Sequence, residues 1–426
     1  MAKTRYLKIG AESVVVIGLL AAMYCTGIDL VRFHCDESQW IATSPVFEAF
    51  VTADFDSPLW QESYWNRTQP PVPRYAIGVG RTIGGYGAED VNLPWNWSVD
   101  DIANIQLGTM PSRDLLWWSR LPMAILAVFS LFVGFVLTRR LAGMMAAYVW
   151  LVLTMMNPYF LLHLRRAMGE SSLLAGVMCV VCACYLSARI SANDNRKCYW
   201  TTFLWLGLVG VGIGVAGSAK LNGLTALVAG LLLVGALAIR LRRPTAHKWL
   251  FVGCGVLVIA VSTSCTFVGL NPYLLRDPKK NVGNMFRQRL KEMKRQTRHP
   301  LWHIDSIHKR ATIVPQQVFQ KCAAMSDKGT LVPNILLTIT GMCLVIVRAR
   351  RWLVNRDPEP GPIVVLLVGI MTVGPCLLTP LDWERYYILP VFFSTLFISV
   401  AIAWYVKLIR CLPDTVQQRL SAQRSR

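Results

Sequence analysis

The chain has 426 residues, 54% of them hydrophobic and only 16% charged. The apolar residues gather in runs of about 18 to 24, the length a helix needs to cross the hydrocarbon core, which excludes an ordinary soluble domain and predicts a polytopic membrane protein. The net charge of +20, from 44 Lys+Arg against 24 Asp+Glu, falls mostly in short segments between those runs, so it reads as cytoplasmic loops and not as a nucleic-acid surface.

In chain order, Lys3, Arg5 and Lys8 precede an apolar run over residues 13–30. That run is too long for a signal-peptide core and no clear cleavage site follows, so it is expected to be a retained span with its N-terminus inside. Immediately after it comes His34-Cys35-Asp36-Glu37-Ser38-Gln39-Trp40. Paired carboxylates at a membrane surface are costly against lipid and useful against a wet cavity, which makes Asp36 and Glu37 candidate functional residues.

Residues 32–113 contain no spanning run and form a long outer loop rich in Trp and Pro. Val46, Phe47, Phe50 and Val51 have the spacing of a short amphipathic helix. The tryptophans at 60, 65, 95, 97, 117 and 118 suit either the headgroup belt or stacking on sugar rings. Asn66-Arg67-Thr68 and Asn96-Trp97-Ser98 match the glycosylation sequon.

Further spans are expected near 115–137, 142–162, 171–188, 200–217, 221–240, 249–270, 331–347, 361–380 and 386–408, ten with the first. Threading them from an inside N-terminus puts the basic segments 139–140, 189–197, 240–243, 348–356 and the C-terminal tail in the cytoplasm. Residues 162–170, 217–222, 271–330 and 381–385 then share the outer face with Asp36. The loop 271–330 carries 13 Lys+Arg against 4 acids, a net +9. Within it Val282, Met285, Phe286, Leu290 and Met293 share one helical face, with Arg287, Arg289, Lys291, Lys294 and Arg295 around the rest. This is a basic interfacial helix, suited to anionic headgroups or to a collar over a phosphate-bearing lipid.

Other outer-face cations complete the set. Arg165 and Arg166 lie in His163-Leu164-Arg165-Arg166-Ala167-Met168-Gly169-Glu170, where the spacing from Arg166 to Glu170 allows a helical ion pair. Lys220 has no acid near it in sequence. Arg385 opens the last span, with Asp382 or Glu384 at hand to neutralise it.

Taken together these pieces resemble the lipid-carrier-dependent glycosyltransferases of the GT-C fold, especially the protein O-mannosyltransferase and aminoarabinose-transferase branch. The resemblance rests on Asp36-Glu37 after the first span, Gln69-Pro70-Pro71-Val72-Pro73 in the same loop, Arg120-Leu121-Pro122 entering the next span, residues 165–170, the Gly217-to-Lys220 hairpin, and Arg385-Tyr386. Two features depart from the family: Gln69 stands where a His often precedes the Pro-Pro element, and the chain ends soon after the tenth span.

The fold class so implied is an all-α polytopic membrane protein with long extracytoplasmic loops. A catalytic module over 1–270 is followed by the basic loop 271–330 and the C-terminal helices 331–426. The implied reaction moves a sugar from a polyprenyl or dolichyl phosphate to a hydroxyl on a glycan, lipid or protein, outside the cytoplasm, in a bacterial cytoplasmic membrane or the endoplasmic reticulum.

For that reaction Asp36 is the expected general base, and Glu37 is expected to position the acceptor or hold Asp36. Arg165 or Arg166, Lys220 and Arg385 are expected at the lipid phosphate, with Tyr386 and Arg74 as further substrate contacts. One base and no enzyme nucleophile imply inversion. A divalent cation bridging the carboxylates and the phosphate is an alternative to the cations alone. Cys35 and Cys322 are the two cysteines placed in outer loops and form a candidate bridge. A transporter or flippase of lipid-linked saccharides is the other functional class considered; it lacks support from internal repeats or midplane charges.

Overall fold

The computed structural model describes residues 2–190, 196–241, 244–298, 303–304, 306–322, 328–355, 357–379 and 381–424. Parts of three expected basic segments, at 191–195, 242–243 and 356, lie outside the described residues. The described residues are mostly helical, with no strand beyond an isolated antiparallel bridge between His303 and Leu381.

Among the described residues, eight helices are long and apolar enough to cross a membrane: Gly10–Leu30, Arg113–Ala142, Gly169–Ile190, Trp200–Ala219, Leu221–Arg240, Thr245–Gly269, Leu331–Asn355 and Glu384–Arg410. The expected spans 142–162 and 361–380 are shorter, as Met144–Met155 and Gly361–Cys376. A helix of 12 residues rises about 18 Å, well short of the roughly 30 Å core. The first of these is cut off by Asn157, whose Oδ1 accepts the N–H groups of Tyr159 and Phe160 and starts a separate helix, Pro158–His163.

The last helix is the centre of the bundle. Its most apolar stretch is 89% buried, against 22% for Leu331–Asn355 and for Gly10–Leu30, whose remaining side chains suit lipid. Close approach is achieved with small residues: a Cβ on Gly341 would collide with the Phe397 carbonyl, and Gly134 faces the Trp150 ring, which packs on Phe392 at 4.8 Å. Because the central helix begins at Glu384–Tyr387, Arg385 is anchored by the best-packed element of the protein.

Residues 32–113 fold into short helices, among them Cys35–Ala42, Val46–Val51, Tyr64–Thr68 and Val72–Ile83. Val46–Val51 is helical where the spacing predicts a helix, but of the expected apolar face Val46 alone is buried, beside Ala49, and Val51 is exposed. Val72–Ile83 packs on Arg113–Ala142, and Cβ atoms on Gly80 or Gly84 would overlap Pro122 or Trp118. Arg81, fully buried, donates to Ser44 Oγ, the Tyr86 carbonyl and the Glu48 carboxylate at 2.5 Å, which locks the loop.

The first sequon does not present a glycan acceptor: Asn66 is 5% exposed, its Nδ2 donates to the carbonyls of Leu59 and Gln61, and its Oδ1 accepts from Arg74. In the basic loop, Pro278–Gln296 is the predicted helix. Its apolar face is split, since Met285 is buried against Phe267, Tyr273 and Leu274 whereas Phe286 and Leu290 stay exposed. The candidate bridge is absent: Cys35 and Cys322 are both free thiols, and Cys322 is buried with its Sγ donating to the Phe319 carbonyl.

Candidate active site

The helix Cys35–Ala42 begins with a reciprocal cap. His34 Nδ1 accepts the Asp36 N–H at 3.1 Å, and Glu37 Oε2 accepts the His34 N–H at 3.0 Å. Burial lowers the His34 pKa and favours the neutral ring, the form that can accept that bond.

Glu37 is fully buried and saturated. Arg120 grips it with two bonds of 2.7 Å, Nε to Oε1 and Nη2 to Oε2, and the Ala167 N–H adds a third at 2.9 Å. Arg120 Nη1 donates in turn to the carbonyls of Ile28 and Val31. One acid thus ties together the end of the first span, the helix of Asp36, the Arg113–Ala142 helix and the 165–168 turn. An acceptor contact for Glu37 does not fit this geometry, because its lone pairs face Arg120 and backbone. Nor do Asp36 and Glu37 converge into a two-carboxylate cation cage.

Asp36 points elsewhere. Its side chain is 17% exposed and pairs with Arg385, which packs against the rings of Trp383 at 4.6 Å and Tyr386 at 5.7 Å. Burial pushes the Asp36 pKa up, but the charge and hydrogen bond of Arg385 and the charge of Lys220 outweigh it and hold the carboxyl below its ordinary value. The expected partners of Arg385 are occupied by others: Glu384 meets Lys321 at 2.6 Å and His163 at 3.3 Å, and Asp382 accepts from Gln317 at 2.8 Å.

Lys220 reaches Glu170 at 2.5 Å with its Nζ 5.9 Å from the Tyr386 ring. Glu170 is therefore the partner of Lys220, and the expected Arg166–Glu170 helical pair does not form. Arg166 is 7% exposed and has no carboxylate partner among the described residues; its guanidinium donates only to the Arg32 carbonyl, at 3.3 and 3.4 Å. Arg165 turns the other way and donates to the Thr26 carbonyl at 2.8 Å. Arg74 is also engaged elsewhere: it donates to Asn66 and the Gln69 carbonyl, and burial pushes its pKa down to about 10.

Three site neighbours escaped sequence reasoning. Arg120 was visible only as part of a short motif, and Glu170 as a partner for Arg166. Arg289, part-buried on the basic helix, lies within the electrostatic reach of Tyr386 and pairs with Glu292 at 3.3 Å; its membership of a basic face was the only hint. His34 Nδ1, Cys35 Sγ and an Asp36 oxygen lie within 4.8 Å of one another. Two of those three donors are already committed, His34 to the helix cap and Asp36 to Arg385, so this set does not suit a divalent cation.

The site is thus one ionised, partly accessible carboxylate facing a ring of cations. Against known proteins, a family model described as dolichyl-phosphate-mannose-protein mannosyltransferase matches residues 54–275, more than half of the chain. The chain belongs to that family. The matched stretch of this mannosyltransferase-family chain contains Arg74, Arg120, Arg165, Arg166, Glu170 and Lys220, while Asp36 and Arg385 lie on either side of it.

No curated protein shows significant sequence similarity. Among solved structures, ArnT from Cupriavidus metallidurans bound to undecaprenyl phosphate is similar with a TM-score of 0.55 at 16% identity, over 93% of this chain and 62% of that one. The apo oligosaccharyltransferase of Archaeoglobus fulgidus gives 0.51 at 11% identity, over 95% and 52%. The S. cerevisiae Pmt1-Pmt2 complex bound to the sugar donor gives 0.44 at 14%, over 62% and 33%. The chain therefore spans about three fifths or less of these structures' lengths. Its fold is that of the GT-C glycosyltransferases, and it is an integral, multi-pass membrane protein.

Proposed function

We propose that this protein transfers a sugar from a polyprenyl or dolichyl phosphate to an acceptor hydroxyl on the extracytoplasmic face, with inversion at the anomeric carbon. The observation that carries the proposal is Asp36, ionised and partly accessible, beside Arg385 and within the field of Lys220. A hydroxyl attacks poorly until its proton has somewhere to go, and a carboxylate in hydrogen-bond reach supplies about 10²–10⁴-fold. Arg385 keeps that carboxylate ionised and fixes its direction.

As the acceptor oxygen bonds to the anomeric carbon, the bond to the carrier phosphate breaks and negative charge grows on the phosphate oxygens. Preorganised cations stabilise such charge. Arg166, without a carboxylate of its own, is the foremost candidate for the phosphate, with Lys220 beside it and Arg289 and Tyr386 closing the rim. Glu37 is a positioning residue that holds the base's helix against Arg120. With one base and no second carboxylate placed as nucleophile, the displacement is single and inverting.

The purified full chain, given a panel of radiolabelled polyprenyl-phosphate sugars and hydroxyl acceptors, should form a glycoside of inverted configuration. A retained configuration, or movement of the carrier across the bilayer without transfer, overturns the proposal.

A further inference from the structure

The chain between Asn92 and Thr109 forms a closed loop with its own internal scaffold. Its ends meet where the Leu93 N–H donates to the Gly108 carbonyl at 3.0 Å and Asn92 Nδ2 donates to the Thr109 carbonyl at 2.8 Å. Asn104 fills the interior. Fully buried, it accepts the Asn96 N–H at 2.9 Å and donates from Nδ2 to the carbonyls of Asn96 at 2.9 Å and Asp100 at 3.0 Å. A buried amide thus takes the place of an apolar core, and the large apolar side chains are left outside.

Leu93, Trp97, Ile102, Ile105, Leu107 and Met110 are all exposed, Trp97 at 64% and Ile102 at 69%. Ile102 and Ile105 share one face of the helix Asp101–Gln106, on the side away from Asn104. So much exposed apolar surface on one short, rigid loop marks a contact site. Residues 82–112 contain four acids, Glu89, Asp90, Asp100 and Asp101, and no Lys, Arg or His, so an anionic partner is repelled. The apolar side chains must carry the contact.

The level of the loop identifies what it meets. Asp29, near the end of the Gly10–Leu30 span, pairs at 2.5 Å with Arg113, which opens the Arg113–Ala142 span, so these two spans end at one height. Met110 lies three residues before Arg113, at most about 11 Å even in extended chain. The headgroup region adds about 5–7 Å to each side of the hydrocarbon core. The foot of the loop is therefore within reach of the bilayer surface, and an exposed Trp among aliphatic side chains is the composition that suits that layer.

We infer that the 92–109 loop is an interfacial anchor whose exposed apolar face, continued by Met110, is immersed in the headgroup layer of zwitterionic lipid on the Asp36 side of the membrane. The anchor reaches the base's helix directly: Ser38 Oγ donates to the Leu93 carbonyl and Asn92 Nδ2 to the Ser38 carbonyl, both at 3.1 Å. Ser38 follows Glu37 in the helix Cys35–Ala42. Lipid contact at Trp97 and Ile102 thereby sets the depth at which Asp36 is held. The inference needs no particular reaction at Asp36.

The test places the photoreactive residue p-benzoylphenylalanine at Trp97, at Ile102 or, as a control on the acidic side, at Glu89 of the full-length protein in phosphatidylcholine nanodiscs. Irradiation should add the mass of one phosphatidylcholine at positions 97 and 102 and not at 89, with melting temperatures unchanged. With the probe at position 97, Ile105→Asp should cut the lipid adduct about tenfold, because the apolar burial that holds the loop down is weakened and a charge is added. Failure to label lipid at both apolar positions, equal labelling at Glu89, an adduct indifferent to Ile105→Asp, or a cross-link to a second copy of the chain overturns the inference.

Discussion

Asp36 and Arg385 stand 349 positions apart in the chain and form an ion pair at the junction of the first outer segment and the central helix. Neither residue has a partner of opposite charge that its own neighbourhood in sequence would have chosen. The pair places a carboxylate under the control of the most rigid element of the bundle.

Asp36→Asn should leave the fold intact and lower transfer by about two orders of magnitude or more. The replacement is nearly isosteric and removes the proton acceptor together with the charge paired with Arg385, whose guanidinium keeps its contacts with Trp383 and Tyr386. Turnover measured alongside a melting curve checks it, and near-normal turnover removes Asp36 from the mechanism.

The pH dependence follows from the same pair. Asp36 titrates below its ordinary value, so the active ionised form persists as pH falls and is lost only when pH passes through that lowered pKa. Arg385→Gln removes the largest lowering influence while burial still raises the pKa. The acid limb of the rate profile should therefore move to higher pH, a shift that a purely structural role for Arg385 does not produce.

The buried Glu37–Arg120 pair should govern stability more than chemistry. Glu37→Gln leaves the Arg120 guanidinium buried and uncompensated, at a cost of about 3–5 kcal/mol. A large drop in melting temperature is expected, with far smaller loss from Asp36→Asn. Equal melting of the two variants contradicts this division.

The cations should separate by direction. Arg166→Gln and Lys220→Gln are expected to weaken donor binding about tenfold or more, as loss of a charge-assisted bond does, with acceptor binding little changed. Arg165→Gln, whose guanidinium donates to the Thr26 carbonyl, should have the smaller effect. Donor titrations on the three variants decide it.

Both Cys35 and Cys322 should be alkylated in unreduced, denatured protein. In the folded protein they should react slowly near neutral pH, because burial pushes the thiols up to about 11 and about 12. Mass spectrometry of the two preparations is the check, and a peptide pair linked by Cys35 and Cys322 contradicts the structure.

Hydropathy made the membrane bundle legible, since a run of apolar residues is a local property. It also overcounted length at 142–162, where the Asn157 cap ends the helix early. Local spacing singled out Asp36, Lys220, Arg166 and Arg385, but the acids it offered to Arg166 and Arg385 are not the ones they meet, and it offered none to Lys220. Arg166 to Glu170 is a sound helical spacing, yet Gly169 opens the helix one residue before Glu170, so Arg166 lies in the preceding turn and Glu170 meets Lys220 from the next hairpin. Such pairings are set by how helices pack, and a single sequence carries no record of that.

The cap of the Cys35–Ala42 helix bears on what the Asp36-Glu37 dipeptide is. Successive side chains on a helix diverge by about 100°, so the two acids, though adjacent, look into different compartments: one into the foundation shared with Arg120, the other toward Arg385. They are not spare copies of each other. Exchanging their identities, Asp36→Glu together with Glu37→Asp, leaves composition and charge untouched, yet it shortens the arm that holds the scaffold and lengthens the arm that meets Arg385. A sequence with the same letters in the other order would therefore be a different machine.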